Sequence, residues 1–165
     1  MSITLCDHGF HSGHGSTVGV MTPADLHETA AERLRGSGQR YTAGRRRLVE
    51  LLATGPSPCS LPELLATDRT VPQSSAYRNL VVLEEAGVVR KIVTRGDFAR
   101  YELAEDLTGH HHHLECAVCG GVEDFTVSPA VERSLARVVA TVEDNTGFSA
   151  QHHRFDLVGT CTHCA

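Results

Sequence analysis

The 165-residue sequence has no tryptophan, only 5 % aromatic residues, and no apolar run near the roughly 20 residues that a membrane-spanning helix requires. The last absence excludes a helical membrane protein. Net positive charge is also missing: the balance is −5 at pH 7, which for the chain taken whole argues against nucleic acid as a partner. Met1 to Val20 has neither a basic start nor an apolar core, so it does not read as a secretory leader and the expected address is the reducing cytoplasm. No His-Glu-x-x-His pattern is present, so the usual helix-borne site of a metallohydrolase is lacking. What the chain does have is 11 His and 6 Cys, the ligands of borderline and soft metals, beside an ordinary 41 % apolar content.

Charge is unevenly divided. Residues 21–100 hold 12 Lys+Arg against 9 Asp+Glu, net +3, whereas residues 101–165 hold 3 against 10, net −7. A cationic module joined to an acidic one is therefore expected, the first suited to a polyanion. The first 20 residues, with Cys6, His8, His11 and His14 among Gly and Ser, read as a solvated, disordered tail, with Met21 as an alternative start.

Capping signals place helices along the cationic part. Thr22 and Pro23 open one, stopped by Gly36 and Gly38; Thr42 caps a second running to about Thr54; Ser60 caps a third; Pro72 opens a fourth that ends at Gly87. Val88–Thr94 and Phe98–Leu103 then read as a hairpin turning through Arg95, Gly96 and Asp97. Helices followed by a basic hairpin describe a winged helix-turn-helix over 22–103. The fourth helix would enter the major groove with Ser74, Ser75, Tyr77 and Arg78, and Arg90, Lys91 and Arg95 would decorate the wing. Arg45, Arg46 and Arg47 oppose the dipole of the second helix, an arrangement that phosphate contact would explain. Ala104 to Gly109 reads as a short hinge. Beyond it, strands over His110–Cys116, Gly121–Thr126 and Phe148–Val158, with a helix from Ser128 whose Val131, Leu135, Val138, Val139 and Val142 point inward, form a small α+β unit over 110–165. A unit of this size needs a metal, a partner subunit or both.

The Cys pairs supply the metal. Cys116-Ala-Val-Cys119 and Cys161-Thr-His-Cys164 form C-x2-C…C-x2-C, whose four thiolates complete a tetrahedral structural zinc site. His163 lies between ligands and is not read as one. In the extended run His110-His111-His112-His113, alternate side chains face opposite ways, so His111 and His113 serve one metal and His110 and His112 another. Glu102, Asp124, Glu132, His152 and His153 are candidates to complete the two sites, whose mixed N/O character suits zinc, iron(II) or manganese(II).

Residues 22–164 resemble the Fur-type ferric-uptake-regulator superfamily of repressors. The likeness rests on Gly38-Gln-Arg40-Tyr-Thr42-Ala-Gly-Arg45, on Ser75-Ala-Tyr77-Arg78 with Leu80 and Glu85-Ala-Gly87, on Tyr101-Glu102-Leu103, and on the His run before C-x2-C. It implies a cytoplasmic homodimer whose subunits join an N-terminal winged helix to a C-terminal α/β dimerisation domain, and which represses transcription from a palindromic operator when its regulatory metal is bound. By matching position, the resemblance makes Cys116, Cys119, Cys161 and Cys164 the zinc ligands and Glu102, His111, His113 and Asp124 the regulatory hinge site. It assigns His110, His112, Glu132 and His153 to a second site. On the winged-helix reading, Arg40, Arg45, Arg46, Ser74, Ser75, Tyr77 and Arg78 are the residues expected at DNA. Three departures matter. Asp124 stands where Glu is usual, Pro58-Cys59 replaces the ligand expected before Ser60, and Ala104 and Arg90 occupy positions where zinc-sensing members carry Cys and Asp. Cys59 is then either a substitute ligand or a buried core thiol. A peroxide-sensing repressor is the alternative within the family. Outside it, the alternatives are a zinc metallohydrolase and a metal storage or delivery protein.

Overall fold

The computed structural model describes residues 21–55, 58–94 and 98–165. The tail over residues 1–20, Pro56 of the expected turn and the wing turn at 95–97 lie outside the described residues.

Three of the first four helices begin where a side chain satisfies free N–H groups. Thr22 and Asp25 form a capping box on α1 (Pro23–Gly36), and Ser60 and Glu63 form another on α3 (Leu61–Thr67). Thr42 caps α2 (Ala43–Thr54), while α4 (Gln73–Glu85) starts behind Pro72 without a side-chain cap. Three helical stripes interlock: Leu26, Ala30 and Leu34 from α1, Leu48, Val49, Leu51 and Leu52 from α2, and Ala76, Leu80 and Leu83 from α4, all buried. Gly44 lets α2 approach α4 closely, since a Cβ there would stand 3.2 Å from Asn79 Nδ2. Gly87, at φ +69°, turns the chain from α4 into β2 (Val89–Ile92).

β2 pairs antiparallel with β3 (Arg100–Leu103), as the hairpin reading requires. A further strand, β1 (Cys59–Ser60), completes a sheet of order β1-β3-β2 by pairing Cys59 with Tyr101. Two residues carry no alternation, so no sequence pattern announces β1. The expected hinge contains one helical turn, α5 (Glu105–Thr108), whose buried Leu107 joins the core of the first half.

In the second half, β4 (His112–Cys116) lies between antiparallel β5 (Val122–Phe125) and parallel β6 (Leu157–Gly159). The expected strand over Phe148–Val158 is confined to its last residues, and the stretch before it carries His153 and Asp156, which meet Glu132 and His113. The inward stripe expected of α6 (Pro129–Thr146) is corrected more sharply. None of its residues is buried; Leu135 and Val139 are half-covered, and Val131, Val138 and Val142 are exposed. Three short strands are too little surface to cover an 18-residue amphipathic helix. Among the described residues no helix is long and apolar enough to cross a membrane.

Candidate metal centres

Three groups of four side chains gather in the second half and at its junction with the first, the ligand atoms of each lying within 4.8 Å of one another. Cys116, Cys119, Cys161 and Cys164 form the first. Gly120, at φ +67°, closes the knuckle after Cys119, and its N–H donates to the Cys116 carbonyl at 2.9 Å. The Cys161 N–H donates to Cys116 Sγ at 3.3 Å, while the Ala117 N–H donates to the Gly159 carbonyl and anchors the knuckle to β6. Backbone N–H groups of Cys119, Cys161 and Val118 pull the Cys116 thiol down to about 6, so its thiolate forms near neutral pH. Cys119 and Cys161 sulfurs stand 3.9 Å apart, against the about 3.8 Å edge of a tetrahedron with 2.3 Å zinc–sulfur bonds. The geometry fits zinc.

The period-two alternation of an extended segment splits the His run. Glu102 from β3, His111 just before β4, His113 within it, and Asp124 from β5 form the second group. The Nδ1–H of His111 donates to the Gly109 carbonyl at 2.8 Å, which leaves Nε2 facing Glu102 Oε2 at 3.4 Å. His113 likewise presents Nε2 to Glu102 Oε2 at 3.0 Å and to Asp124 Oδ1 at 3.6 Å, while its Nδ1 meets Asp156 Oδ1 at 3.3 Å. Carbonyl and carboxylate partners on the rear nitrogens are how metal-binding imidazoles are oriented. Burial pushes the Glu102 carboxyl up, but hydrogen bonds from His111 and His113 outweigh it and hold the group at about 2. The same bond to Glu102 raises His111 to about 9 against the opposing effect of burial. Burial raises Asp124. Glu102 Oε1 is buried and accepts no hydrogen bond, but Arg90 Nε stands 3.2 Å away and sets a positive charge beside it.

His110, His112, Glu132 and His153 form the third group. Glu132, on the first turn of α6, stands 2.9 Å from His112 Nε2, 3.4 Å from His110 Nε2 and 3.7 Å from His153 Nε2. The His112 ring packs against Phe125 and Phe155, which fixes its plane. His153 Nε2 is a second buried atom without a hydrogen-bond partner, and it too faces its cluster. His152 is exposed and belongs to none of the three groups. Nor does Cys59: it is a core thiol, 3.9 Å from the Tyr101 carbonyl, pushed up to about 12 by burial.

Residues expected at DNA divide into two kinds. Ser74, Tyr77 and Arg78 are exposed on the leading turns of α4, where with Gln73 and Leu61 they line an open groove; Ser75 is half-buried. Arg40 is exposed, and Arg46 lies over the Tyr41 ring at 5.6 Å. Arg45 is instead engaged within the protein, reaching Asn79 Oδ1, Gln39 Oε1 and the Arg40 carbonyl. Arg47 pairs with Asp68 and Glu50. Both arginines therefore brace α2 as well as adding charge to it.

Sequence reading missed the outer partners: Asp156 on His113, Glu105 on His110, the Gly109 carbonyl on His111 and Arg90 beside Glu102. A carboxylate that serves a histidine from elsewhere in the fold leaves no spacing signal.

The Bacillus subtilis peroxide operon regulator is 29 % identical over 142 residues, spanning 82 % of this chain and 91 % of its own length. A structure of the Helicobacter pylori ferric uptake regulator, 23 % identical, superposes with a TM-score of 0.68 over 88 % of this chain and 95 % of that one. A zinc-bound manganese uptake regulator, 29 % identical, does so with a TM-score of 0.58 over 82 % and 98 %. The sequence model of the ferric uptake regulator family matches residues 36–158, and the chain belongs to that family.

Proposed function

We propose that this protein is a metal-dependent transcriptional repressor that binds a palindromic operator as a homodimer when its regulatory divalent metal is bound, with zinc at the four cysteines. Residues 22–103 are then the DNA-binding winged helix, 104–109 the hinge and 110–165 the dimerisation domain. One observation carries the reading: Glu102 is hydrogen-bonded into the first sheet, whereas His111, His113 and Asp124 reach it from beyond the hinge. A divalent cation bound there supplies the positive charge that lets two carboxylates and two imidazoles converge. Glu102 and Asp124 hold one half against the other, the rear-nitrogen partners of His111 and His113 keep both rings aimed, and α5 sets the reach between the halves.

Fixing that angle matters because the two α4 helices of a two-fold dimer must meet half-sites on one face of duplex DNA. Driving such an arrangement from 1:99 to 99:1 takes about 5.5 kcal/mol of differential binding, within the range of a four-ligand site. The exposed stripe of α6 supports the dimer. Tyr77 and Arg78 are the residues for base edges and phosphates, with Arg40 and Arg46 flanking, and Arg45 bracing. A regulator of this kind is expected to show no hydrolysis of esters or peptides.

Operator binding by chelator-treated protein that keeps its cysteine zinc, titrated with zinc, iron(II), manganese(II) and nickel(II), tests the reading. Tight binding in the metal-loaded form and at least about 100-fold weaker binding without it is expected; equal affinity in both forms would discard the switch. Arg78→Ala should lower affinity by about 1–3 kcal/mol, read as a shifted operator titration. The name of the Bacillus subtilis relative favours a second reading, a repressor released by peroxide. Loss of operator binding by the iron-loaded, but not the zinc-loaded, protein after peroxide treatment would single it out.

A further inference from the structure

Between the two histidine groups stand charges that neither group counts among its four. Glu102 uses Oε2 for His111 and His113, while its buried Oε1 has Arg90 Nε at 3.2 Å. The same guanidinium places Nη1 3.9 Å from Glu105 Oε2. Glu105 Oε1 accepts from His110 Nδ1, whose other nitrogen faces Glu132. The run Glu102, Arg90, Glu105, His110 thus starts in the hinge group, passes through β2 and α5, and ends in the other group.

Each link has a direction. A carboxylate on the rear nitrogen of an imidazole fixes its tautomer and strengthens the front nitrogen as a ligand, so Glu105 primes His110. A guanidinium beside a ligand oxygen competes with a cation for that oxygen's charge, so Arg90 weakens the hinge group. Arg90 is shared between two carboxylates. When the charge of Glu102 is committed to a cation, the guanidinium moves its weight to Glu105, and Glu105 gives less to His110.

We propose that Arg90 and Glu105 are positioning residues forming a charge relay that couples the two groups negatively, so that filling one with a divalent cation lowers the affinity of the other. By thermodynamic reciprocity the effect runs both ways. The proposal rests on reading both groups as metal sites, and its experiment separates the two failures.

Cobalt(II), whose visible absorption reports N/O coordination, serves as the probe in chelator-competition titrations of the full-length dimer with its cysteines zinc-loaded. His113→Ala and His112→Ala backgrounds resolve the individual groups. In the wild type, either group should bind at least about fivefold more weakly when the other is filled. Arg90→Gln should tighten the hinge group about tenfold and abolish the coupling, Arg90→Lys should stay close to wild type, and Glu105→Gln should weaken the His110 group by about tenfold or more and the hinge group by less, because Arg90 then turns wholly to Glu102. Variant isotherms that superimpose on the wild type, or that weaken both groups alike as a folding defect would, overturn the relay. A wild-type protein that takes up no cobalt beyond the cysteines overturns the relay and the metal reading beneath it.

Discussion

The halves of the molecule are closed by different means. Residues 21–107 carry a continuous apolar core drawn from α1, α2, α4, α5 and the first sheet, with Leu34, Leu48, Leu80, Leu83 and Leu103 fully buried. Beyond residue 110 the buried apolar residues are only Cys116 and Val122, while buried His112 and His113 belong to the candidate metal groups, and the longest helix of the described residues buries nothing. One half is stabilised by transfer of leucine from water. On the proposed function, the other depends on coordination and on a surface left for a second subunit. Stability and responsiveness are then separated: the part proposed to present side chains to DNA does not have to loosen when metal leaves.

This contrast can be broken most forcefully at the cysteines. Cys161→Ser should remove zinc and disorder the second half, where structural sites are worth about 10–16 kcal/mol, yet leave cooperative unfolding of the first half in place. Zinc content and hydrogen exchange along the chain check both statements. Protection lost equally in both halves would erase the distinction.

Placing charge on the α6 stripe, as Val138→Glu with Val142→Glu, should shift the protein from dimer to monomer in sedimentation and lower operator affinity at least about 100-fold. Exchange protection in α2 and α4 should stay unchanged.

Leu80→Ala inverts the experiment: a cavity in the leucine core should cost about 2–5 kcal/mol in denaturant unfolding while cobalt and zinc stoichiometries hold.

The smallest effect concerns acid. Hydrogen bonds from Thr70 and then Arg47 hold the Asp68 carboxyl at about 2, below its ordinary 3.8. A lowered value in the folded state contributes stability above pH 3.8 that is lost as pH falls toward 2. Asp68→Asn should therefore be less stable than wild type near pH 5, with the two unfolding curves converging near pH 2.

Much of this was legible in the residues. Thr22, Thr42, Ser60, Pro72 and Gly87 announced the helices of the first half because capping chemistry is local. The two histidine groups followed from the two-residue period of extended chain, which sends His111 and His113 one way and His110 and His112 the other. Where the second half departed from expectation, the reason is non-local. Periodicity identifies an apolar stripe on α6 but not whether the same chain covers it. Arg45 and Arg47 looked alike as cationic residues near a helix start, yet the placement of Asn79 and Asp68 turned both into braces. Asp156 and Glu105 act on histidines through space, and Cys59 entered a two-residue strand that only its partner, β3, defines.

The parallel pairing of β4 with β6 sets an order of events in biosynthesis. Leu114 lies beside Leu157, and Cys116 beside Gly159, across the whole of α6, so the second sheet cannot close until residue 159 has been made, nor the thiolate tetrahedron until residue 164. The first half is complete once Leu107 has emerged. A nascent chain will therefore carry a folded first half and an open, thiol-bearing second half. In that interval Cys116 and Cys119 wait without Cys161 and Cys164, with half of the ligand set still to come.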